Sequence, residues 1–578
     1  MSTQTLSSPL AQPTFAELFT PKLVTVFREG YSFANFQADV TAGLTVAIVA
    51  LPLSMAIAIG SHATPAQGLY TSIVGGFLVS MLSGSRFQIG GPAGAFIVLV
   101  AATVTQHGMD GLILATILSG VMLTAVGYLR LGAYIKFIPY PVTVGFTAGI
   151  AVTIFSTEIK PLLGLSFTGA EPGPLVEKLP FLWSKLSTLS SSALGLSLAS
   201  IALLAGLRAW RPRWPAMLIV VALAGLATAL FKLPIDTIGS QFGGIPRNLP
   251  LPALPHFGLA KIQAVLPNAI SFTLLGAIES LLSAVVADSM TGRRHRSNCE
   301  LVGQGIANIA SGLFGGICVT GTVARTATNV RAGARSPISG IAHSLFLVLF
   351  ILVAAPLASY IPLAALAAVL AMVCWNMFER DAFAMLVRAS RGDAAVLLAT
   401  FGLTLFRGLT EGIVVGFALG SVLFIHRMSQ TTALETHVPP VAEEDVPDGA
   451  SGAAYDETVR QDPTVVVYRI SGAFFFGAAV AIGAVLERIG EAQRNLIIDF
   501  SAVPFVDSTG AKTIEGLAHK AAQRGVSVTL TGMSEGVRRE LAAQGARRPL
   551  VNKAPSIDQA LAEIRGKGHA GPAAALAS

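Results

Sequence analysis

A glutamate stands inside an apolar run that ends in a cluster of arginines. The run "AIESLLSAVVADSMTGRRHRSNCELVGQG" (277–305) places Glu279 four residues before Ser283, so a helix presents both on one face. Asp288, nine residues after Glu279, turns toward the opposite side, which predicts a solvated interfacial carboxylate. A carboxylate at membrane depth is costly and by default marks an ion or proton path. Glu279 is therefore predicted to couple ion movement, with a structural glutamate bonded to a neighbouring helix as the alternative.

A second candidate is Arg325, in the stretch "TGTVARTATNVRAGA" (320–334), where threonines flank it on both sides. A guanidinium there would attract an anion, or it would simply snorkel toward a polar face. Burial favours the neutral form of Glu279, whereas a nearby Arg325 or a helix N-terminus favours the ionised form. A carboxyl group under both influences can take up and release a proton near neutral pH.

The composition places these residues in a membrane. Hydrophobic residues make up 53% of the 578 residues and charged residues 12%, against roughly 25% charged residues in a soluble domain. About 14 apolar runs between residues 40 and 430 are candidates to cross a bilayer, which takes roughly 17 to 25 residues per helix. The runs are continuously apolar and lack barrel alternation, so they predict a polytopic α-helical membrane protein.

Basic residues occupy alternate connections between the apolar runs. They are Arg130 and Lys136; Arg208, Arg211 and Arg213; Arg293, Arg294 and Arg296; Arg331 and Arg335; Arg380, Arg388 and Arg391; and Arg427. The positive-inside rule makes these connections cytoplasmic and puts both termini inside. The net charge of +7 is thus explained as a topology signal, with no nucleic-acid partner.

Two short segments repeat between the halves of the chain. "AQGLYTSIVGG" (66–76) resembles "GQGIANIASGL" (303–313), and Gln67 and Gln304 are 237 residues apart. The same offset relates Pro92 in "IGGPAGAF" to Asn329. Paired interrupted segments indicate the central site of a transporter, where two half-helix N-termini face each other and suit an anion. The alternative is that the glycines only permit close helix packing.

Beyond residue 430 the composition becomes that of a soluble domain. Residues 436–463 are rich in proline, glycine and acidic side chains, as in a linker, and strand-like and helical segments then alternate as in an α/β fold. The glycine spacing of a phosphate loop is missing from "STGAKT", and no enzyme, cofactor or metal site is predicted. Three scattered cysteines, Cys299, Cys318 and Cys374, indicate neither a disulfide nor a metal centre.

Four motifs together resemble the sulfate permease family, the bacterial relatives of the solute-carrier-26 anion transporters. They are "PAQGLYTSIVGG", "GGPAGAF", "ELVGQGIANI" and the "VDSTG" of the tail. The segments 276–309 and 324–339 are more narrowly similar to a bacterial aerobic C4-dicarboxylic acid transporter. The resemblance spans residues 30–565. It implies 14 transmembrane segments in a 7+7 inverted repeat, core and gate domains with an elevator-like movement, half-helices in spans 3 and 10, a cytoplasmic STAS domain and a homodimer.

The domains predicted on this basis follow the chain in order. They are a cytoplasmic N-terminal segment (1–38), the transporter domain (39–430, with repeats at 39–234 and 262–430), a linker (431–463), the STAS domain (464–566) and a flexible tail (567–578).

The resemblance also implies the site residues. Substrate contacts are expected from Leu53, Gly94, Ala95, Phe96, Glu279, Ser283, Ala324, Arg325 and Thr326. Many relatives have glutamine after the "LP" of the first span, whereas "ALPLSMA" has Leu53, which shapes the pocket without a polar contact, and Ser54 is not assumed to replace the glutamine. A sodium-coupled relative has aspartate at the position of Glu279, and the longer glutamate favours protons.

The predicted function is proton-coupled uptake of C4-dicarboxylates such as succinate, fumarate or aspartate across a bacterial inner membrane. Sulfate or bicarbonate transport with proton or sodium coupling is the first alternative, and a membrane-anchored STAS-domain regulator is the second. In the tail, Thr509 of "VDSTG" occupies the position that is phosphorylated in anti-sigma-factor antagonists. Regulation through Thr509 is one hypothesis, and support of folding, assembly and contacts with a cytoplasmic protein partner is the other.

Overall fold

The apolar runs fold into long helices, because a helix satisfies its own backbone groups inside a bilayer. In the computed structural model the chain divides into two units, residues 1–420 and 421–578. The structure describes residues 14–132, 139–167, 172, 175–211, 214–256, 258–430, 433–437, 464–475 and 494–568. The predictions for residues 1–13, 438–463 and 569–578, and for Lys136 and Arg213, lie outside the described residues.

Helices dominate residues 14–430. They are α1 (Phe15–Phe19), α2 (Lys22–Glu29), α3 (Phe33–Gly60), α4 (Pro65–Tyr70), α5 (Gly76–Leu82), α6 (Ile97–Tyr128), α7 (Tyr140–Leu163), α8 (Leu175–Ser184), α9 (Ser191–Trp210), α10 (Ala216–Phe231), α11 (Ile238–Phe242), α12 (Leu259–Thr291), α13 (Ser297–Leu313), α14 (Val323–Arg331), α15 (Ile338–Ala358), α16 (Leu363–Met377), α17 (Arg380–Ala389), α18 (Arg391–Phe406) and α19 (Leu409–Gln430). A π-helical turn (Thr71–Gly75) joins α4 to α5, and 3-10 turns occupy Gly94–Phe96 and Leu186–Thr188. The two strands are β1 (Gly90–Gly91) and β2 (Thr320–Gly321).

Among the described residues, eight helices are long and apolar enough to cross a membrane. One of them contains α6, which Gly108 divides because its φ of 69° and ψ of 179° are not helical. The division at Gly108 makes two spans of that helix, so the eight helices supply nine spans. Five shorter segments complete the fourteen predicted spans: 65–82, 216–231, 297–313, 323–331 and 391–406. The two sets of seven cover 33–231 and 259–430, and the chain is a polytopic helical membrane protein.

The membrane helices form two packing groups. In one, α12 and α13 pack against α6, α14 packs against α12, and α15 packs against α3. In the other, α16 and α18 pack against α7, and α9 packs against α16 and α10. Both interrupted segments belong to the first group, so its helices position them.

The turn between α14 and α15 is held by a buried carboxylate at the start of α3. Asp39 Oδ1 accepts from the backbone N–H of Arg335 at 2.6 Å and of Ser336 at 3.0 Å. Asp39 Oδ2 accepts from the Tyr31 hydroxyl at 2.6 Å and from the Ser336 hydroxyl at 2.5 Å. Four donors from three residues therefore converge on one side chain that is fully buried.

Replacing Asp39 with alanine is expected to lower the melting temperature of the detergent-solubilised protein. The substitution leaves buried donors without an acceptor, at a cost of roughly 1 to 3 kcal/mol for each group that water cannot reach. Glu411→Ala is the control, because Glu411 is exposed and its one ion-pair partner among the described residues is the exposed Arg407. Equal melting temperatures for both variants would contradict this account of Asp39.

The N-terminal helices are tied to the start of α13 and to the turn before β1. Arg296 Nη1 donates to the Thr20 carbonyl at 2.7 Å and to Thr25 Oγ1 at 2.8 Å. Arg86 binds the Glu29 carboxylate, and this hydrogen bond holds the pKa of Glu29 below its usual value. Arg296 therefore has a packing role in addition to its predicted role as a topology signal.

The second unit contains a five-stranded sheet. Its elements are β3 (Ala433–His437), β4 (Val465–Ser471), β5 (Asn495–Ala502), α20 (Ser508–Gln523), β6 (Ser527–Thr531), α21 (Glu535–Ala543), β7 (Asn552–Lys553) and α22 (Ile557–Gly568). The strand order is β3-β4-β5-β6-β7, antiparallel for the first pair and parallel for the others.

Alternation along β4 and β5 explains why helices cover both faces of this sheet. Tyr468 and Ile498 belong to the apolar cluster that includes α20 and α21 residues. Val467 and Ile497 belong to a separate cluster with residues of α22. Successive side chains of a strand point to opposite faces of the sheet. Each of these two strands therefore contributes side chains to both apolar clusters.

Strand β3 differs from the prediction of a linker over 431–463. Residues 433–437 pair with β4, with Glu435 opposite Arg469. The segment "ALETH" is too short and too polar to show strand alternation, and the edge of the sheet supplies the partner that fixes it.

Candidate functional site

The two interrupted segments, 88–96 and 320–334, meet in an antiparallel strand pair. Gly90 lies opposite Gly321, and Gly91 lies opposite Thr320. The 3-10 turn Gly94–Phe96 leads into α6 shortly after β1, and α14 begins two residues after β2. The first N–H groups of such helices have no partner within the helix and carry partial positive charge. Two helix N-termini therefore flank one strand pair, an arrangement that suits an anion.

Each segment also sends one long polar side chain over a glycine of the other. The Gln88 amide contacts Gly321, and the Arg325 guanidinium contacts Gly91. A Cβ at either glycine would collide with that side chain. Neither glycine has a positive φ, so both positions require space and not an unusual backbone conformation.

The Arg325 guanidinium is bound at the crossing of the two segments. Nη1 donates to Ser72 Oγ, and Nη2 donates to Ser54 Oγ and to the Pro92 carbonyl, each at 3.2 Å. The residue is 1% exposed, so the alternative that it snorkels to a polar surface is wrong. No carboxylate among the described residues forms an ion pair with it, so its positive charge is not neutralised by a carboxylate of that part of the chain.

Two serines of this site were not predicted from the sequence. Ser54 in α3 and Ser72 in the π-helical turn are fully buried, and their hydroxyl oxygens are 2.8 Å apart. Ser54 donates to the Ala50 carbonyl at 2.6 Å, so its oxygen accepts from both Ser72 and Arg325. Small hydroxyl residues are common in apolar helices, so nothing local distinguishes these two.

Glu279 lies between two contacts that join α12 to the second segment. Thr320 Oγ1 donates to the Gly276 carbonyl at 3.3 Å, and Ser283 Oγ donates to Thr326 Oγ1 at 3.0 Å. Gly276 and Ser283 are three residues before and four residues after Glu279, so one helix face presents all three toward α14. Glu279 is half-buried and has no hydrogen-bond or ion-pair partner among the described residues.

The other predicted contacts surround the same helix ends. Ala95 and Phe96 are buried, and the Phe96 ring lies 6.0 Å from the Phe272 ring on α12. Gly94 is half-buried, whereas Ala324 is exposed. An exposed alanine at the first turn of α14 means that this helix N-terminus is open to its surroundings, as a binding site must be.

A family model described as "Sulfate permease family" matches residues 36–400, and a "STAS domain" model matches residues 457–560. The first match covers more than half of the chain. The chain belongs to the sulfate permease family. Its likeness to "Putative sulfate transporter YvdB" of Bacillus subtilis is 38% identity over 510 residues, covering 87% of this chain and 93% of the relative. "Bicarbonate transporter BicA" of Synechocystis is 30% identical over 517 residues, covering 88% and 90%.

Solved structures give the same fold. The structure titled "The overall structure of SLC26A9" superimposes with a TM-score of 0.80 at 18% identity and covers 95% of this chain and 93% of that chain. The transmembrane domain of a cyanobacterial BicA superimposes with a TM-score of 0.59 at 29% identity, covering 67% of this chain and 98% of that one. The chain is thus a multi-pass anion transporter of the sulfate permease family with a STAS domain. That it transports C4-dicarboxylates stays a prediction.

The internal repeat of this family member has a different register from the one predicted. The strands begin at Gly90 and Thr320, 230 residues apart, and α4 and α13 begin at Pro65 and Ser297, 232 residues apart. The predicted offset of 237 is therefore wrong. Glycine-rich segments of low complexity match in several registers, and the strand pairing selects one.

The two glutamines behind that offset are not equivalent. Gln67 is the third residue of α4, where its side chain accepts from the Thr64 N–H at 2.9 Å in a capping box. Gln304 lies within α13, and its amide donates to the Val319 carbonyl. Asn329 likewise lies near the end of α14 and bonds to the Phe87 carbonyl at 2.9 Å.

Asp288 is partly exposed, and it has in addition a protein partner that the sequence did not predict. Asp288 Oδ2 lies 2.6 Å from His295 Nδ1 and accepts from the His295 N–H at 3.1 Å. The tight connection to α13 folds the histidine back onto the end of α12, which a helical projection of α12 alone does not show.

The remaining predicted residues lie at other places in the fold. Leu53 is buried beside Ser54, and that it shapes the substrate pocket stays a prediction. Thr509 is exposed in the first turn of α20, behind the N-cap Asp507, whose carboxylate accepts from the Gly510 N–H at 2.7 Å. The cysteines are buried free thiols.

Proposed function

We propose that this sulfate permease family member is a secondary active transporter that moves a small divalent anion together with protons. The observation that carries the proposal is the β1–β2 pairing, which sets two helix N-termini beside Arg325. Glu279, which has no partner in the described part of the chain, lies on the helix that contacts the second of these segments. One guanidinium charge and two helix N-termini, each worth roughly +0.5 charge, give about two positive charges. That charge complements a dianion better than a monoanion.

Glu279 is the proposed proton carrier. Its carboxyl group lies one turn from Ser283, which binds the first turn of α14 through Thr326. A proton on Glu279 removes a negative charge from the surroundings of the anion, and loss of the proton restores repulsion. Anion occupancy and protonation thus favour each other, which is what coupling between two ligands requires.

C4-dicarboxylates are the substrates that we place first. The support is the similarity of segments 276–309 and 324–339 to a C4-dicarboxylic acid transporter, together with the charge of the site. Succinate and fumarate carry two negative charges, and aspartate adds an ammonium group that Glu279 could accept. Sulfate is the second candidate, because it is also a dianion and a relative 38% identical is named a putative sulfate transporter.

The packing groups support an elevator-like movement. Helices α3, α6, α12, α14 and α15 carry both interrupted segments, so they can move as one body past the group around α7. We further propose a homodimer in a bacterial inner membrane with cytoplasmic termini, in line with the positive-inside pattern. The STAS domain would then face the cytoplasm, where Thr509 is accessible to a kinase.

Competition against labelled succinate tests the substrate assignment. Purified protein in proteoliposomes is expected to take up succinate, and excess fumarate is expected to block this uptake. Butyrate, a monocarboxylate of similar length, is the matched control and should block weakly, because it lacks the second charge. Blocking by sulfate with no succinate uptake would move sulfate to first place, and blocking by bicarbonate alone would contradict the dianion argument.

A further inference from the structure

A second carboxyl group lies inside the packing group that contains α6, α12 and α13. Glu300 is in the first turn of α13 and is fully buried. Ser280 Oγ donates to Glu300 Oε1 at 3.1 Å. Ser280 directly follows Glu279 in α12, so Glu300 contacts the helix position next to Glu279.

The same serine binds the first interrupted segment. Gln88 Nε2 donates to Ser280 Oγ at 2.8 Å and lies 3.1 Å from the Ser280 carbonyl, to which it also donates. Gln88 stands two residues before β1 and is the side chain that lies over Gly321. A continuous chain of hydrogen bonds therefore runs from Gln88 through Ser280 to Glu300, and all three residues are buried.

The backbone just before Glu300 also binds the chain that precedes β1. The Arg296 N–H, one turn before Glu300, donates to the Gly84 carbonyl at 3.0 Å. The turn Ser83–Ser85 faces the Glu300 carboxyl group, and this turn leads through Gln88 into β1. The segment 83–88 is thus held at one end by α13 near Glu300 and at the other by Ser280 of α12.

We propose that Glu300 is a positioning residue: through Ser280 and Gln88 it fixes the first interrupted segment against the Glu279 turn of α12. Its Oε1 acts as an acceptor for Ser280 and does not carry the transported proton. The inference rests on the proposed anion transport for its kinetic consequence, but its structural consequence holds without any substrate. The two carboxyl groups should therefore respond differently to the same substitution.

The test compares Glu300→Gln, Glu300→Ala and Ser280→Ala with the wild type, using the full-length protein. Glutamine retains an acceptor oxygen at the same place, so Glu300→Gln should keep KM for succinate and the proton drive. Glu300→Ala should raise KM roughly tenfold with a smaller change in the maximal rate, since loss of one buried hydrogen bond shifts an equilibrium by about that factor. Ser280→Ala breaks the same chain and should have a similar effect.

Hydrogen–deuterium exchange of the substrate-free protein supplies a readout independent of transport. Peptides covering 83–92 should exchange faster in Glu300→Ala and Ser280→Ala, whereas peptides of the STAS domain should not change. Glu411→Ala is the matched control, an exposed carboxylate in the same unit. If the wild type takes up no anion, the proposed function fails, and this exchange experiment still decides the role of Glu300.

Three outcomes would overturn the proposal. The first is unchanged exchange over 83–92 in both alanine variants. The second is a Glu300→Gln variant that loses the proton drive, which would make Glu300 a coupling residue. The third is additivity of Ser280→Ala and Glu300→Ala in the double variant, because residues that act through one chain are not additive.

Discussion

Glu279→Gln is expected to abolish accumulation of succinate driven by an inward proton gradient, while succinate binding is retained. Glutamine keeps the shape and the acceptor oxygen of the side chain but cannot exchange a proton. Glu279 has no hydrogen-bond or ion-pair partner among the described residues. Replacing its carboxyl group with an amide should therefore leave the packing of α12 against α14 intact. The measurement is uptake into proteoliposomes with and without the gradient, beside calorimetric binding of succinate.

Glu411→Gln is the control for this prediction. It removes a carboxylate at the surface of α19, where Arg407 is the partner at 3.2 Å, and it should transport as the wild type does. Proton-driven accumulation by Glu279→Gln at the wild-type level would show that the coupling proton is carried elsewhere.

Gly91→Ala is expected to reduce anion binding and transport roughly tenfold to a hundredfold, the loss that goes with one hydrogen-bonded charge. A Cβ at this position occupies the place of the Arg325 guanidinium. Arg325 would have to leave Ser54, Ser72 and the Pro92 carbonyl, or β1 would have to separate from β2. Either change moves the positive charge relative to the two helix N-termini.

Gly321→Ala tests the symmetric contact, because its Cβ meets the amide of Gln88. Gly195→Ala is the control, since a Cβ there meets no atom within 4 Å. The affinity for succinate, measured by calorimetry, should fall in Gly91→Ala and Gly321→Ala and should not fall in Gly195→Ala. Wild-type affinity in Gly91→Ala would mean that Arg325 is not a charge of the anion site.

Local patterns in the sequence predicted two structural features of the candidate site. The depth of Glu279 and its spacing from Ser283 predicted a helix face, and the structure places that face against Thr326 of α14. The two glycine-rich interruptions predicted facing helix N-termini, and β1 and β2 pair. These predictions depend on helix period and backbone interruption, which are visible within about ten residues.

Contacts between distant segments were not predictable in this way. Ser54 and Arg325 are 271 positions apart, and Asp39 and Ser336 are 297 apart. A hydroxyl group or a short carboxylate has no local signature for such partners, because the fold alone brings them together. The repeat offset was wrong for a related reason: similar glycine-rich letters do not distinguish a capping glutamine such as Gln67 from an interior one such as Gln304.

The central claim is that a proton gradient drives a dianion through the site where the two interrupted segments meet. Its most direct test is uptake of labelled succinate by the wild-type protein in proteoliposomes, with an inward proton gradient, without one, and with a protonophore. We predict accumulation above the external concentration only with the gradient, and collapse of that accumulation on adding the protonophore. Uptake that equilibrates regardless of the gradient, or that requires sodium, would contradict the claim.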